Sequence, residues 1–334
     1  MSKLPVMASR STHAAASLRQ RGSALLAALA IVALIVTAAV TAMWQQWQAV
    51  QVEAAERERT QAAWLLDGAL AWAQQLLDDD ARSGGADHLG EAWALPLAEV
   101  QVSSWLAGRP AGAGDAAGAD DMAAPAFLSG RISDLQARYN LRNLIKDSMV
   151  QGDELARLER LCEAAGVDPA LAGRLATALN AALVREATRT TFDAPLLPAS
   201  VAQLDWLGVE PDSARRLAPL VVLLPVRTPV NLNTASAEVL AAVIEGLDPA
   251  EAGRLVRLRE RSPFLDLAQA ERAVPALAPL DAQLVGVSSA HFEVLGRLRL
   301  GDHLLEQHSL LARRAGRAML LRRDQIARAT LAGP

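Results

Sequence analysis

Five carboxylates fall close together along the chain, and grouped carboxylates are the side chains that bind divalent cations or exchange protons with a substrate. They are Asp78, Asp79, Asp80, Asp87 and Glu91. The first three follow a stretch of helical composition, so the simpler interpretation is a solvated helix end that continues into a loop. The sequence therefore gives this acidic group no catalytic assignment.

The other reactive side chains indicate no active site either. The chain has one cysteine, Cys162, and five histidines, His13, His88, His291, His303 and His308. Cys162 stands at helical spacing from Leu155 and Leu158, which predicts a small buried residue. It shows no metal-ligand spacing with the histidines. Since phosphate loops, nucleophile elbows and zincin motifs are also missing from the sequence, we predict that the protein is not an enzyme.

A turn at Gly246-Leu247-Asp248 joins two predicted helices and resembles the hairpin of helix-hairpin-helix modules. Those modules hold a DNA phosphate with backbone N–H groups in a Gly-apolar-Gly turn. Here Asp248 replaces the second glycine, and its carboxylate would repel a phosphate. The arginines that follow are interpreted as a solvated helix face: Arg254, Arg257, Arg259 and Arg261. A membrane-anchored DNA-binding or uptake protein is therefore the alternative function, and nucleic acid is not the expected partner.

The N-terminal region contains a segment long enough to cross a membrane. Ser23 to Met43 is 21 residues without a charge, a glycine or a proline, which exceeds the 7–15 apolar residues typical of a secretory signal. Upstream stand only basic charges, Lys3, Arg10, Arg19 and Arg21. Such a flank stays in the cytoplasm. We predict a single-pass anchor over 23–43, with the N-terminus cytoplasmic and the rest of the chain on the other side.

Gly22 before this apolar run resembles the end of a prepilin leader, which prepilin peptidase removes while the apolar helix is kept. The resemblance implies cleavage between Gly22 and Ser23 and N-methylation of Ser23. In pilins the helix continues as an amphipathic stripe on the soluble domain. Leu65, Ala69, Trp72 and Leu76 recur at helical spacing. We therefore predict one helix over 23–80, whose stripe faces strands containing Phe292, Val294 and Leu298.

Most pilin-like subunits carry a glutamate as the fifth mature residue, where this chain has Ala27. The K component of type II secretion systems, the GspK family, also lacks that glutamate. Four further segments resemble GspK in the expected order: DHLGEAWALPL (87–97), SGRISDLQARYNLRNL (129–144), VNLNTASAEVLAAVI (230–244) and LRLGDHLLEQHSLLARRAGRAMLLRR (298–323). The sequence is identified as a member of this family over most of its length.

The resemblance implies an α+β, pilin-like fold, in which a long N-terminal transmembrane helix packs on a small antiparallel sheet. A large all-α domain of the SAM or helix-hairpin-helix type would be inserted into it. Asp168, Asp248 and Gly166 fit helix ends within that domain. The predicted parts are the leader 1–22, the N-terminal helix 23–80, the pilin-like parts 81–146 and 287–334, and the inserted domain 147–286.

The implied function is that of a minor pseudopilin of the type II secretion system. It would sit at the pseudopilus tip and help to export folded proteins from the periplasm through the outer membrane. The expected partners are the minor pseudopilins of the I and J type, the major pseudopilin and prepilin peptidase. The expected location is the inner membrane, with the C-terminal domains in the periplasm.

Calcium is a cofactor that GspK proteins can hold in an acidic loop of the helical domain. The matching stretch here, residues 183–198, offers only Glu186 and Asp193 as carboxylates, whereas calcium takes 6–8 oxygen ligands. These two residues are therefore weak candidates, and no cofactor is assigned. The runs Asp78–Asp80 and Asp115–Asp121 are the other acidic stretches that could substitute for them.

Overall fold

The computed structural model describes residues 14–106, 126–188, 194–274, 279–301 and 303–330, and gives the backbone alone for 14–22 and 325–330. The helices are α1 (Ala14–Ser83), α2 (Val102–Leu106), α3 (Gly152–Ala164), α4 (Ala170–Thr188), α5 (Pro211–Leu217), α6 (Ala237–Val243), α7 (Pro249–Arg261) and α8 (Leu267–Ala273). The strands are β1 (Leu97–Gln101), β2 (Ala126–Asp134), β3 (Tyr139–Asn140), β4 (Ile145–Lys146), β5 (Met149–Val150), β6 (Val221–Val222), β7 (Val230–Asn231), β8 (Val285–Gly286), β9 (His291–Leu300), β10 (His303–Arg314) and β11 (Arg317–Thr330).

The chain divides into two units, of which the first ends at Ala63 and the second begins at Trp64. The first unit contains the apolar part of α1. Its most apolar 18-residue window has a mean hydropathy of 2.7 and no buried residue. The hydroxyls of Thr37 and Thr41 donate to the carbonyls of Leu34 and Thr37, so both are satisfied within the helix. This helix is long and apolar enough to span a membrane.

The second unit is built on a five-stranded antiparallel sheet with the order β1-β2-β9-β10-β11. Strands β2 and β9 are neighbours in the sheet although residues 135–290 separate them in sequence. That intervening segment contains α3 to α8 and has its own hydrophobic core. We call residues 135–290 the inserted block. The antiparallel sheet with further helices confirms the predicted α+β class.

One face of the sheet packs on the last turns of α1. The shared core consists of Leu70, Ala73, Leu77, Trp93, Ile132, Phe292, Val294, Leu311 and Ala318. The predicted strand residues Phe292, Val294 and Leu298 are buried. The predicted helix stripe is wrong by one residue, because Leu66, Leu70, Ala73 and Leu77 form the buried face.

Trp72 is 46% exposed and not a core residue. Leu65, Ala69 and Leu76 are half-buried at the edge of the contact. Two stripes one residue apart differ by only about 100° around a helix, and both are apolar in this segment. The size of Trp72 favoured the wrong stripe, whereas the small side chain of Ala73 allows the helix to approach the sheet.

The inserted block has a core of leucines, valines and alanines that includes Cys162. Tyr139, Leu141, Leu144 and Ile145 also belong to this core, although we predicted them in the first pilin-like part. These residues belong to the core because β3 pairs with β6, so that Tyr139 and Asn140 lie beside Val221 and Val222. The predicted helix ends are confirmed: Gly166 has a positive φ of 66°, and Asp168 accepts from the Ala170 N–H at 3.0 Å. The domain boundaries themselves stay a prediction.

In the sequence of β9, Phe292, Val294 and Leu298 alternate with the polar residues His291, Glu293 and Arg297, which predicts that the other face of the sheet is polar. The structure differs from this prediction. Leu135, Val222 and Leu224 of the inserted block pack with Leu310 of β10 on this face. His291, expected to face solvent, is only 4% exposed. The difference arises from tertiary packing. Part of the inserted block covers a face of the sheet that the alternation of polar and apolar residues in β9 predicts to be in contact with water.

Candidate functional site

A buried group of polar side chains joins the sheet to the inserted block. Asp134 ends β2 and is 5% exposed. Its Oδ2 accepts hydrogen bonds from Thr234 Oγ1 at 2.6 Å, Ser289 Oγ at 2.7 Å and Asn231 Nδ2 at 3.2 Å. Its Oδ1 accepts from the Gln136 N–H at 2.7 Å. One carboxylate therefore ties together β2, the start of β9 and the segment that precedes α6.

Asn231 extends this group to the loop that follows α1. Its Nδ2 also donates to the Asp87 carbonyl at 3.1 Å and to Ser289 Oγ at 2.9 Å. Its Oδ1 accepts from the Asn233 N–H at 2.9 Å. Asp87 in turn accepts from the Ser289 N–H at 2.6 Å. We call Asp87, Asp134, Asn231, Thr234, Ser289 and Arg313 the polar junction.

Arg313 of β10 supplies the cation of the polar junction. Its Nη1 lies 2.7 Å from Asp80 Oδ2, and its Nη2 lies 2.6 Å from Asp87 Oδ2 and 2.7 Å from the Ser289 carbonyl. The guanidinium carbon also stands 5.0 Å from the centroid of the Phe292 ring. The C-terminal end of α1 is thereby fixed to the sheet, which corrects the expectation of a solvated helix end for Asp80 and Asp87.

The acidic group does not fit a calcium site. The ligand oxygens of Asp80, Asp87 and Glu91 lie within 4.8 Å of one another. Arg313 already binds two of these carboxylates, and Glu91 accepts from Trp93 Nε1 at 2.7 Å. Calcium needs 6–8 oxygens and is repelled by a guanidinium among them. The arrangement is a salt-bridged structural joint.

Burial has the largest effect on the pKa of Asp134 within the polar junction. Desolvation raises the pKa of Asp134 above 3.8, although the hydrogen bonds from Ser289, Thr234 and Gln136 oppose it. A carboxyl whose pKa is higher in the folded chain stabilises the fold below the unfolded pKa. That contribution is lost as the pH rises through the folded pKa.

The sign of this effect can be tested with Asp134→Asn, which mimics the protonated carboxyl. Raising the pH from about 4 to 7 should lower the free energy of unfolding of the wild type relative to that of the variant. Urea unfolding followed by circular dichroism measures this difference. A wild-type advantage that grows with pH would contradict the raised pKa.

Asparagines elsewhere in the block replace backbone pairing. Asn233 donates to the Phe264 carbonyl and accepts from its N–H, both at 2.9 Å. Asn143 binds the carbonyl and N–H of Thr228 at 2.9 and 3.1 Å. Each side-chain amide thus holds a distant loop as a strand partner would. The motifs that carried the family resemblance are therefore structural clamps, a role that sequence reasoning did not assign to them.

Arg259 was predicted on a solvated helix face, and this is wrong. Arg254, Arg257 and Arg261 are exposed, but Arg259 is 8% exposed and donates to the Leu232 carbonyl. Burial lowers its pKa to about 10. Arg259 follows Leu255 by four residues, so it lies on the buried side of α7.

The hairpin turn is built as the sequence predicts. Gly246 has a φ of 79°, and Asp248 caps α7 by accepting from the Glu251 N–H at 2.8 Å. The Glu251 side chain returns to the Asp248 N–H and completes a capping box. The N–H group that a DNA phosphate would use at this helix end is therefore bound to a carboxylate. This geometry disfavours the DNA-binding alternative.

The remaining candidate residues are not brought together. Gly22, Ser23 and Ala27 lie along α1, and Ala27 is exposed. Glu186 is exposed in α4, whereas Asp193 and the run 115–121 lie outside the described residues. Their processing and calcium roles stay predictions. Cys162 is fully buried, and burial raises its pKa to about 11, as expected for an inert core thiol.

The comparisons with known proteins agree with this architecture. A family model described as "Type II secretion system (T2SS), protein K" matches residues 230–288. The chain is 29% identical over 329 residues to the Type II secretion system protein K of Pseudomonas aeruginosa, covering 91% of this chain and 92% of the relative.

The fold resembles a chain in the crystal structure of the GspK-GspI-GspJ complex from enterotoxigenic Escherichia coli. The TM-score is 0.58 at 18% identity, over 82% of this chain and 98% of that chain. The matched residues 230–288 include Asn231 and Thr234 and end directly before Ser289. The segment that the family model matches therefore supplies one side of the polar junction. The chain is therefore similar in sequence to type II secretion system protein K over most of its length, and its fold resembles that of a chain of the GspK-GspI-GspJ complex.

Proposed function

We propose that the protein caps the pseudopilus at its tip and helps folded proteins to pass from the periplasm through the outer membrane. The observation that carries this proposal is the inserted block, residues 135–290, between the neighbouring strands β2 and β9. Subunits in a pilus shaft pack closely around one axis. A head enlarged by this block would collide with a subunit above it, and only the tip has none.

Ala27 supports the same position. In pilin-like subunits the glutamate at this place pairs with the free amine of a neighbouring subunit during assembly. Ala27 has no charge with which to form that pair. A subunit at the tip has no subunit above it, so it does not need this glutamate–amine pair. The role is structural, and the chain is proposed to carry no catalytic activity.

The proposed direct partners are the minor pseudopilins of the I and J type. Support comes from the likeness to a chain of the GspK-GspI-GspJ complex. The major pseudopilin would form the shaft below them. Co-expression of the full chain with its I- and J-type siblings should yield a complex that survives detergent extraction and gel filtration. Separate elution of the chain would contradict the partnership.

The tip position is tested by immunogold labelling of an epitope in the inserted block on overproduced pseudopili. Gold at one end, with label for the major pseudopilin along the shaft, is the expected pattern. Label of the block along the whole shaft would rule out the tip position. Ala27→Glu separates the two arguments, because the bulk of the block should keep this variant at the tip.

Export is tested by deleting the gene and measuring secreted enzyme in the medium. We expect the exported enzymes to remain in the periplasm and the full chain to restore secretion. Normal secretion in the deletion strain would contradict the export role.

Processing by prepilin peptidase gives a mass prediction. Co-expression with the peptidase should remove residues 1–22 and leave Ser23 N-methylated. Gly22→Val should block the cut, since a branched side chain obstructs a site shaped for glycine. Gly68→Val, elsewhere on the same helix, is the matched control and should be cut normally. Intact-mass spectrometry that shows the full-length wild type despite active peptidase would overturn the leader assignment.

The proposed location is the inner membrane, with the N-terminus in the cytoplasm and the second unit in the periplasm. The basic flank before the apolar run supports this orientation. Alkaline phosphatase fused after Pro334 should be active, because that enzyme folds only in the oxidising periplasm. Activity of a reporter that works only in the cytoplasm, fused at the same position, would show that the orientation is the opposite of the one proposed.

A further inference from the structure

A cavity of about 270 Å³ lies where the inserted block covers the sheet. Its apolar wall is formed by Leu135, Val222, Leu224 and Leu310. Val201, Ala202 and Leu223 add to the apolar part of the lining, and its polar part consists of Arg138, Ser200, Glu293, His308, Arg322 and Asp324. The cavity therefore combines an apolar surface with charged groups, as small-molecule sites do.

Four of the titratable groups in this wall form two pairs. His308 Nδ1 lies 3.0 Å from Glu293 Oε1, across strands β10 and β9. Arg322 Nε lies 2.8 Å from Asp324 Oδ2, and Arg322 also donates to the Ala199 carbonyl. Each of these two carboxylates therefore has a nitrogen partner within the wall itself.

Arg138 has no such partner. In the part of the chain that the structure describes, no carboxylate oxygen lies within 4.0 Å of its guanidinium. Its hydrogen bond there, from Nη1 to the Ala218 carbonyl, is long at 3.4 Å. Burial lowers the pKa of Arg138, while the more distant Glu293 and Asp134 raise it. A guanidinium has five N–H donors, so this cation retains donors for a ligand.

We propose that this cavity binds a carboxylate attached to a short apolar group, with Arg138 as the anion-binding residue. A planar guanidinium matches a carboxylate with two parallel hydrogen bonds. One cation without a carboxylate partner balances a single negative charge, which suits a carboxylate better than a doubly charged phosphate. The apolar side chains of the lining would hold the apolar part. The carboxylate comes either from a free small organic acid or from the C-terminus of a peptide.

Ser200 and Glu293 set the selectivity of the site. Ser200 lines the cavity, and its side chain does not cap the 3₁₀ turn that follows it, so its hydroxyl would serve as a second donor. Glu293 is the nearby acid that competes with a ligand for Arg138. A neutral residue at 293 should therefore strengthen the binding of an anion, whereas a neutral residue at 138 should abolish it.

The test uses the full chain in lipid nanodiscs and isothermal titration calorimetry. The probes are butyrate, its neutral counterpart butyramide, and the tripeptide acetyl-Ala-Val-Leu as free acid and as amide. We expect saturable binding of a carboxylate probe and none of its amide. Tighter binding of the tripeptide acid than of butyrate would identify a chain terminus as the source, and the reverse order a free acid.

Variants of the protein show whether the heat measured by calorimetry comes from binding in this cavity. Arg138→Gln should weaken binding by at least about tenfold, as expected for a lost charge-assisted pair. Arg254→Gln removes the same charge from an exposed position on α7 outside the cavity and should leave binding unchanged. Glu293→Gln should tighten it. Equal binding by wild type and Arg138→Gln, or no binding of either acid, would overturn the proposal.

Discussion

Trp93→Ala should lower the free energy of unfolding by about 3–5 kcal/mol, the range for deleting a large buried aromatic side chain. Trp93 is 1% exposed, and its ring meets that of Phe292 edge to face with centroids 5.2 Å apart. Its Nε1 donates to Glu91 Oε2 at 2.7 Å. The substitution removes a core side chain, an aromatic contact and a hydrogen bond from the region where α1 meets the sheet.

Trp72→Ala is the matched control for this prediction. Trp72 is 46% exposed at the edge of the same contact, so we expect a loss below about 1.5 kcal/mol for the same chemical change. For a domain of this size, each kcal/mol shifts the melting temperature by about 2–4 °C. Calorimetry should therefore separate the two variants by several degrees. Equal destabilisation would mean that the helix turns its other face to the sheet.

The strand side of this contact could be predicted from sequence, whereas the helix side could not. Alternation in β9 identified Phe292, Val294 and Leu298, because the period of a strand leaves only two possible faces. A helix offers many faces, and α1 is apolar around much of its circumference. The choice between Trp72 and Ala73 depends on how closely the helix approaches Gly296, where a Cβ would lie 3.1 Å from Leu66.

The polar junction could not be predicted for a different reason. Asp134 and Asn231 are 97 residues apart in sequence, and Asp134 and Ser289 are 155 apart. No local period connects them, because side-chain hydrogen bonds between distant loops depend on the completed fold. By contrast, a hydrogen-bond motif between near neighbours in sequence can be predicted, as the capping box of Asp248 and Glu251 shows, because it lies within four residues. Arg259 shows why burial could not be predicted there. An arginine is expected on the surface, and its acceptor, the Leu232 carbonyl, is brought beside it only by the completed fold.

Asp134→Ala should destabilise the second unit by about 3–5 kcal/mol. Four donors lose their acceptor, from Thr234, Ser289, Asn231 and Gln136. An unsatisfied buried donor costs about 1–3 kcal/mol, and relief of the desolvation of the carboxylate offsets part of the sum. Because these donors belong to the sheet and to the inserted block, the variant should also loosen the joint between them. Hydrogen exchange should therefore increase at Ser289 and Thr234 before it increases in the core of the block.

Two variants keep this prediction specific. Asp134→Asn retains the shape and one acceptor oxygen, so its loss should be smaller than that of the alanine variant. Asp212→Ala removes a carboxylate that is 57% exposed and paired with Arg215 and Arg216 on α5. An exposed pair contributes about 0–1 kcal/mol. If Asp134→Ala were no more destabilising than Asp212→Ala, the junction would not hold the block to the sheet.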